Sequence, residues 1–200
     1  ALDANTTGAN NIALGRSSLG ANSTGSSNTS IGTFALDAAT TASNNTAVGY
    51  AALTENTTAQ NNTAIGHNCL DANTTGDDLV GVGQAALTAN TTGARNTAVG
   101  RQALTANTTG DNNTAVGAAV ADSITTGSEN SAFGQGAGES ITTGSNNLCL
   151  GHDSGRNTSP SGSITTDSNR ICMGNNNIAD AYIKVSFTVT SDARDKTDVT

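Results

Sequence analysis

The chain has 200 residues, of which 34% are apolar and 2% aromatic, with no Trp; such a composition cannot supply the thick core of an ordinary globular domain and, taken alone, reads as low complexity. The formal charge is -8 and the eight basic residues form no patch, which argues against a nucleic-acid partner, because that affinity depends on neutralising phosphates with Lys and Arg. No apolar run approaches the roughly 18 residues needed to cross a membrane, and three Cys without a CxxC do not make a disulfide framework.

The order of the residues decides the architecture. The chain opens at Ala1-Leu2-Asp3 in mid-repeat, so it is expected to be part of something longer. From there an Asn-Thr-Ala-(Val/Ile)-Gly pattern recurs, its glycine falling at Gly15, Gly32, Gly49, Gly66, Gly83, Gly100, Gly117, Gly134 and Gly151, always 17 residues apart. The next equivalent is Gly174, after 23 residues; the six extra residues fit a loop around Arg156-Asn157-Thr158-Ser159-Pro160, which holds the single Pro.

Within each repeat the residue before the glycine is apolar (Leu14, Ile31, Val48, Ile65, Val82, Val99, Val116, Phe133, Leu150, Met173). Two places earlier it is mostly β-branched, and the residue between is small, as in Thr46-Ala47-Val48 and Thr97-Ala98-Val99. Alternation at period two predicts a short strand with two different faces. A helix is a poor alternative, since Gly and Thr cost it several tenths to about 1 kcal/mol each. Four residues after the glycine comes Leu (Leu19, Leu36, Leu53, Leu70, Leu87, Leu104), read as a second inward column after a corner. Segments such as Asn73-Thr74-Thr75-Gly76 are read as corners in which Asn and Gly take the left-handed backbone.

The expected fold is therefore all-β, a parallel β-solenoid of about ten 17-residue coils over residues 1–174. Residues 175–190 are read as a C-terminal strand or neck and 191–200 as the start of a further segment. Stacking is expected to bury a continuous column of Val, Ile and Leu, with trimer formation available to cover the small-residue face. A spacing of about 4.8 Å per coil gives a rod on the order of 48 Å long. The Asn column from Asn11 and Asn28 to Asn147 is expected to stack as an amide ladder.

Several residues invite chemistry and are better read as structure. Cys149 and Cys172 share the small column and are expected to stack in neighbouring coils within disulfide reach, the bland reading being buried free thiols; Cys69 shares another small column with Ala52, Ala86 and Ala103. His67 and His152 share the column after the glycine, five coils apart, so one chain cannot bring them to one metal, and that column reads as solvent-facing. Asp122 and Glu139 are one repeat apart, a spacing a glycosidase can use, but Thr occupies the same column elsewhere and aromatic sugar platforms are few. No metal or cofactor is expected.

The repeat resembles known families. Asn96-Thr97-Ala98-Val99-Gly100 is similar to the Asn-Ser-Val-Ala-Ile-Gly repeat of trimeric autotransporter adhesin heads, which are homotrimers of left-handed parallel β-rolls. Runs such as Ala103-Leu104-Thr105-Ala106-Asn107-Thr108-Thr109-Gly110 followed by Asn113-Thr114-Ala115-Val116-Gly117 resemble tail-fibre proteins of phages and large algal viruses. After the strand-like Tyr182–Thr190 stretch, Ser191-Asp192-Ala193-Arg194-Asp195-Lys196 resembles the opening of the endosialidase-type intramolecular chaperone. That resemblance implies a Ser191–Lys196 dyad and self-cleavage at the Ser191–Asp192 bond, a desolvated Lys serving as base.

Together these resemblances imply a structural viral fibre: a homotrimeric shaft or adhesin on the virion surface, extracellular, with a host receptor or glycan as possible partner. An ice-binding solenoid, built on the paired columns Thr74-Thr75, Thr91-Thr92 and Thr108-Thr109, is the second class, and a polysaccharide-degrading tailspike the third.

Overall fold

The computed structural model describes residues 1–156 and 162–178. It is an all-β solenoid with ten strands: β1 (Ile12–Leu14), β2 (Thr29–Ile31), β3 (Thr46–Val48), β4 (Thr63–Ile65), β5 (Val80–Val82), β6 (Thr97–Val99), β7 (Thr114–Val116), β8 (Ser131–Phe133), β9 (Leu148–Leu150) and β10 (Ile171–Met173). They form one parallel sheet in chain order, each strand pairing with the next. The register is the repeat itself: Thr46 pairs with Thr63 and Val48 with Ile65, 17 residues apart. At the end Ile171 pairs with Leu148, so the longer last repeat is absorbed without a slip of register.

Outside the strands the coil consists of turns, and the backbone still bonds between coils. Gly49 N–H donates back to Ile31 O at 2.8 Å, while Leu53 N–H donates forward to Cys69 O at 3.0 Å. Each winding is thereby tied to both neighbours, which is how a coil that buries little by itself becomes stable in a stack.

The two faces of the strand are assigned opposite to the sequence expectation. The small column is the inner one: Ala47, Ala64, Ala98 and Ala115 are fully buried. The Val/Ile column before the glycine points outward, with Leu14 66% and Ile65 41% exposed. The reason is volume. Leu36, Leu53, Leu70, Leu87 and Leu104 enter from the turn and fill the coil's centre, all at 0% exposure, leaving only a methyl's width on the strand's inner side. Thus Leu forms the buried column, the Val and Ile that precede the glycine do not, and the small-residue face is already covered within one chain.

The leucines reach the centre at a cost. Leu19, Leu36, Leu53, Leu70, Leu87 and Leu104 all have φ between 49° and 56°, the left-handed region that disfavours side chains by about 1–2 kcal/mol. Full burial of a Leu side chain is worth about 1.5–3 kcal/mol, enough to offset it.

The Asn-Thr-Thr-Gly segments also differ from expectation, because neither Asn73 nor Gly76 has a positive φ. Asn73 is buried instead. Gly76 is required because a Cβ there would stand 2.3 Å from Gly93 O in the next coil. The left-handed corner falls two residues further on, at Asn44, Asn61, Asp78, Arg95 and Asn112.

Two amide ladders run inside the rod. In the expected one, Asn45 donates its backbone N–H to Asn28 Oδ1 at 3.0 Å and its side chain to Ala59 O at 2.9 Å. The second uses the turn asparagines: Asn90 Nδ2 donates to Asn73 Oδ1 at 2.9 Å, and Asn107 Nδ2 to Asn90 Oδ1 at 2.8 Å. Buried amides are affordable here because each finds its partner in the adjacent coil.

Candidate interaction face

The outward side of the sheet follows directly from the period of the strand. With the middle residue of each strand turned in, the first and third turn out, and exact register lines them up along the rod. One row holds Thr29, Thr46, Thr63, Thr97 and Thr114, interrupted by Val80; the other holds Ile31, Val48, Ile65, Val82, Val99 and Val116. Toward the C-terminal end the face becomes more apolar, with Phe133 41% and Met173 54% exposed. No outward residue of the ten strands is charged.

A second row borders it. Arg16 lies over the Phe34 ring at 4.6 Å, Phe34 meets Tyr50 edge-on at 5.9 Å, and Tyr50 stacks on His67 at 5.3 Å. Tyr50 and His67 occupy the same place in successive coils, so the solenoid brings together rings 17 residues apart in sequence. Column alignment already places Arg16, Tyr50 and His67 together; the stacking of their rings and the contact with Phe34, one column further on, come from the structure.

The paired threonines do not form a uniform two-row array. The first of each pair turns its hydroxyl onto the next coil: Thr74 Oγ1 donates to Thr91 O at 3.0 Å and Thr91 Oγ1 to Thr108 O at 3.1 Å. The second row, Thr75, Thr92 and Thr109, is exposed.

The two acids in the column after Leu are drawn into an ion cluster. Arg156 Nη1 lies 2.7 Å from Glu139 Oε2 and 2.7 Å from Asp153 Oδ1. Asp122 has its carboxyl pushed up by partial burial, opposed by a bond from Ser123 and by the charge of Arg156. Surface depressions of about 360, 330 and 270 Å³ lie at the C-terminal end, and neither Asp122 nor Glu139 lines any of them.

His67 is exposed, as its column predicts, and His152 lies 3.4 Å from Asp153 and 3.1 Å from Asn175. Among the described residues no three His, Cys, Asp or Glu side chains come together in a way that could hold a metal, and no helix is long and apolar enough to cross a membrane. Ser191, Asp192 and Lys196, the residues of the self-cleavage expectation, lie outside the described residues, as does the Tyr182–Thr190 stretch.

No protein-family model matches this chain, and neither a curated protein nor a solved structure is significantly similar to it.

Proposed function

We propose that the chain is a structural segment of a homotrimeric fibre of the kind carried on virus particles, in which three copies pack through the outward Thr and Val/Ile face. One observation carries the reading: a face that is uncharged and in register along all ten strands. Nine strand spacings make it about 43 Å long, and with a strand's width of about 10 Å it covers on the order of 400 Å². An uncharged face of that size is on the scale of the largest patch of a monomer, which is often functional. A second copy is the natural occupant, because an equally regular ladder matches its spacing at every step. The virion setting and the Ser191–Lys196 self-cleavage come from the resemblances of the repeat and of the C-terminal motif, and a host receptor or glycan would be met by the assembled fibre.

Light scattering on the purified 200-residue chain tests this. The expected mass is three times the 19.7 kDa of one chain. A Val99→Lys variant, which puts a charge in the middle of the face, is expected to be a folded monomer. A wild-type chain that stays monomeric overturns the proposal.

The same Thr row supports a second reading, an ice-binding surface, because a flat array of threonines in register is what such a surface needs. It requires the face to be uncovered. A monomer with thermal hysteresis that Thr63→Lys abolishes favours it. The ion cluster at Arg156 supports no polysaccharide cleavage by Asp122 and Glu139.

A further inference from the structure

We propose that Cys149 and Cys172 are a cross-linking site: under oxidising conditions they join in a disulfide that fastens the last strand, β10, to the body of the solenoid. The inference is independent of the fibre reading. The two cysteines are register partners on β9 and β10. Neighbouring strands stand about 4.8 Å apart, inside the Cα separations of 4.4–6.8 Å that a disulfide spans. Both side chains are buried, at 0% and 2% exposure, and both thiols are free in the structure.

Packing treats this pair differently from Cys69. Cys69 has a simple steric account: it stands where the facing strand residue is Gly81, and a Cβ at Gly81 would lie 2.5 Å from its sulfur. It has no cysteine neighbour in the adjacent coils, where Ala52 and Ala86 hold its place. At the C-terminal end two sulfurs instead follow one another in a column otherwise made of Ala, Ser and Gly. Room for them comes from the Leu column, which is emptied at Gly138 and Gly155; a Cβ at Gly155 would lie 3.0 Å from Cys149 Sγ.

The cross-link also has mechanical sense. β10 follows the longest repeat and, among the described strands, pairs with β9 alone. A bond between residues 149 and 172 closes the loop that carries the six-residue insertion.

The chemistry is thiol–disulfide exchange with a small-molecule disulfide such as oxidised glutathione. One cysteine thiolate attacks a sulfur of the small disulfide, forming a mixed disulfide and expelling one small thiolate. The second cysteine thiolate attacks the protein-side sulfur of the mixed disulfide and expels the other. The two protons of the protein thiols end on the two small thiols, so the protein loses two hydrogens and the oxidant is reduced. Burial pushes the Cys149 thiol up to about 12, which leaves almost no thiolate in the closed rod. The reaction therefore runs through local opening of the β9–β10 pairing.

The test incubates the full chain with oxidised or reduced glutathione, quenches with acid, alkylates and digests with trypsin. Cleavage after Arg95, Arg101, Arg156 and Arg170 places Cys69, Cys149 and Cys172 on three different peptides. The expected result with oxidised glutathione is a cross-linked pair containing Cys149 and Cys172, two hydrogens lighter than its parts, with Cys69 alkylated. Cys149→Ala and Cys172→Ala, which place the column's usual residue, should keep the fold and lose the cross-link. In a Cys69→Ala background, oxidation should slow hydrogen exchange of the Ile171–Met173 amides on the order of tenfold. Alkylation of both Cys149 and Cys172 after oxidation, or their trapping as separate mixed disulfides, overturns the proposal.

Discussion

The rod solves the problem of filling its centre in two ways, and the contrast lies along its own axis. In the coils of Leu53, Leu70, Leu87 and Leu104, a left-handed Leu fills the middle and an Asn three residues later joins a buried amide ladder through Asn56, Asn73, Asn90 and Asn107. In the next three coils the Leu position holds Ala121, Gly138 and Gly155, and the Asn position holds Ile124, Ile141 and Ile164, all buried. The large apolar group has moved from one side of the turn to the other. One large apolar side chain per coil is kept while the polar ladder is given up, and the outward face changes in the same stretch from Thr and Val to Phe133, Leu148, Leu150 and Ile171. A solenoid core is thus specified coil by coil, by pairs of columns that compensate each other, and a polar interior is one option among others when every amide can be paired.

The places where the turn ladder stops are visible as loose ends. Asn107 Oδ1 and Asn22 Oδ1 are buried without a hydrogen-bond partner. Asn107 is the last amide before Ile124, and Asn22 faces the coil in which Ala39 replaces Asn. A ladder that donates in one direction leaves an acceptor unused wherever it stops.

Mixing the two regimes should have the largest effect. Leu104→Ala alone empties the centre of one coil and is expected to cost about 3 kcal/mol in urea unfolding. Adding Asn107→Ile supplies the Ile of its C-terminal neighbour, though not the buried Val120 that stands there in place of Ala103, and should recover part of the loss, because it refills much of the space and only moves the end of the ladder from Asn107 to Asn90. Simple additivity of the two substitutions would break the volume-exchange argument.

Within the ladder, Asn90→Ala removes a central member, leaving Asn73 Oδ1 with Gly76 N–H alone, Asn107 Nδ2 with Gly110 O alone and Gly93 O without its side-chain donor; a loss of about 2 kcal/mol is expected from the same unfolding curves. The reverse change, Ala39→Asn, bridges Asn22 to Asn56 and should gain about 1 kcal/mol. Hydrogen exchange should place that gain in the coils around residue 39; an unchanged or weaker rod would show that the gap is not a defect of pairing.

The smallest effect concerns Asp122, in the C-terminal regime. Its folded carboxyl is held above its ordinary range by burial, so the folded state prefers the protonated form. Stability from this group is present below the ordinary carboxylate range and is lost as the pH rises through the raised value. Asp122→Asn should therefore stabilise slightly at neutral pH, within about 0.5 kcal/mol, with the gain vanishing in acid. Urea midpoints at neutral and acid pH check it; a loss at neutral pH would show that attraction to Arg156 outweighs burial.

Sequence periodicity alone set the 17-residue coil, the parallel register, the positions of the ten strands, the inward Leu column and the first Asn ladder, because a repeat without insertions forces equivalent residues into rows. Tertiary packing decided which side of the strand is the inside. Alternation at period two separates Ala47 from Thr46 and Val48 but is symmetric between the two faces. The leucine arriving from the turn takes the interior volume, so the strand can contribute only a methyl group there, and its β-branched residues are left facing out. For the same reason the outward face and the contact of Phe34 with Tyr50 depend on coils closing around a centre of fixed size, whereas the pairing of Cys149 with Cys172 already follows from their shared column.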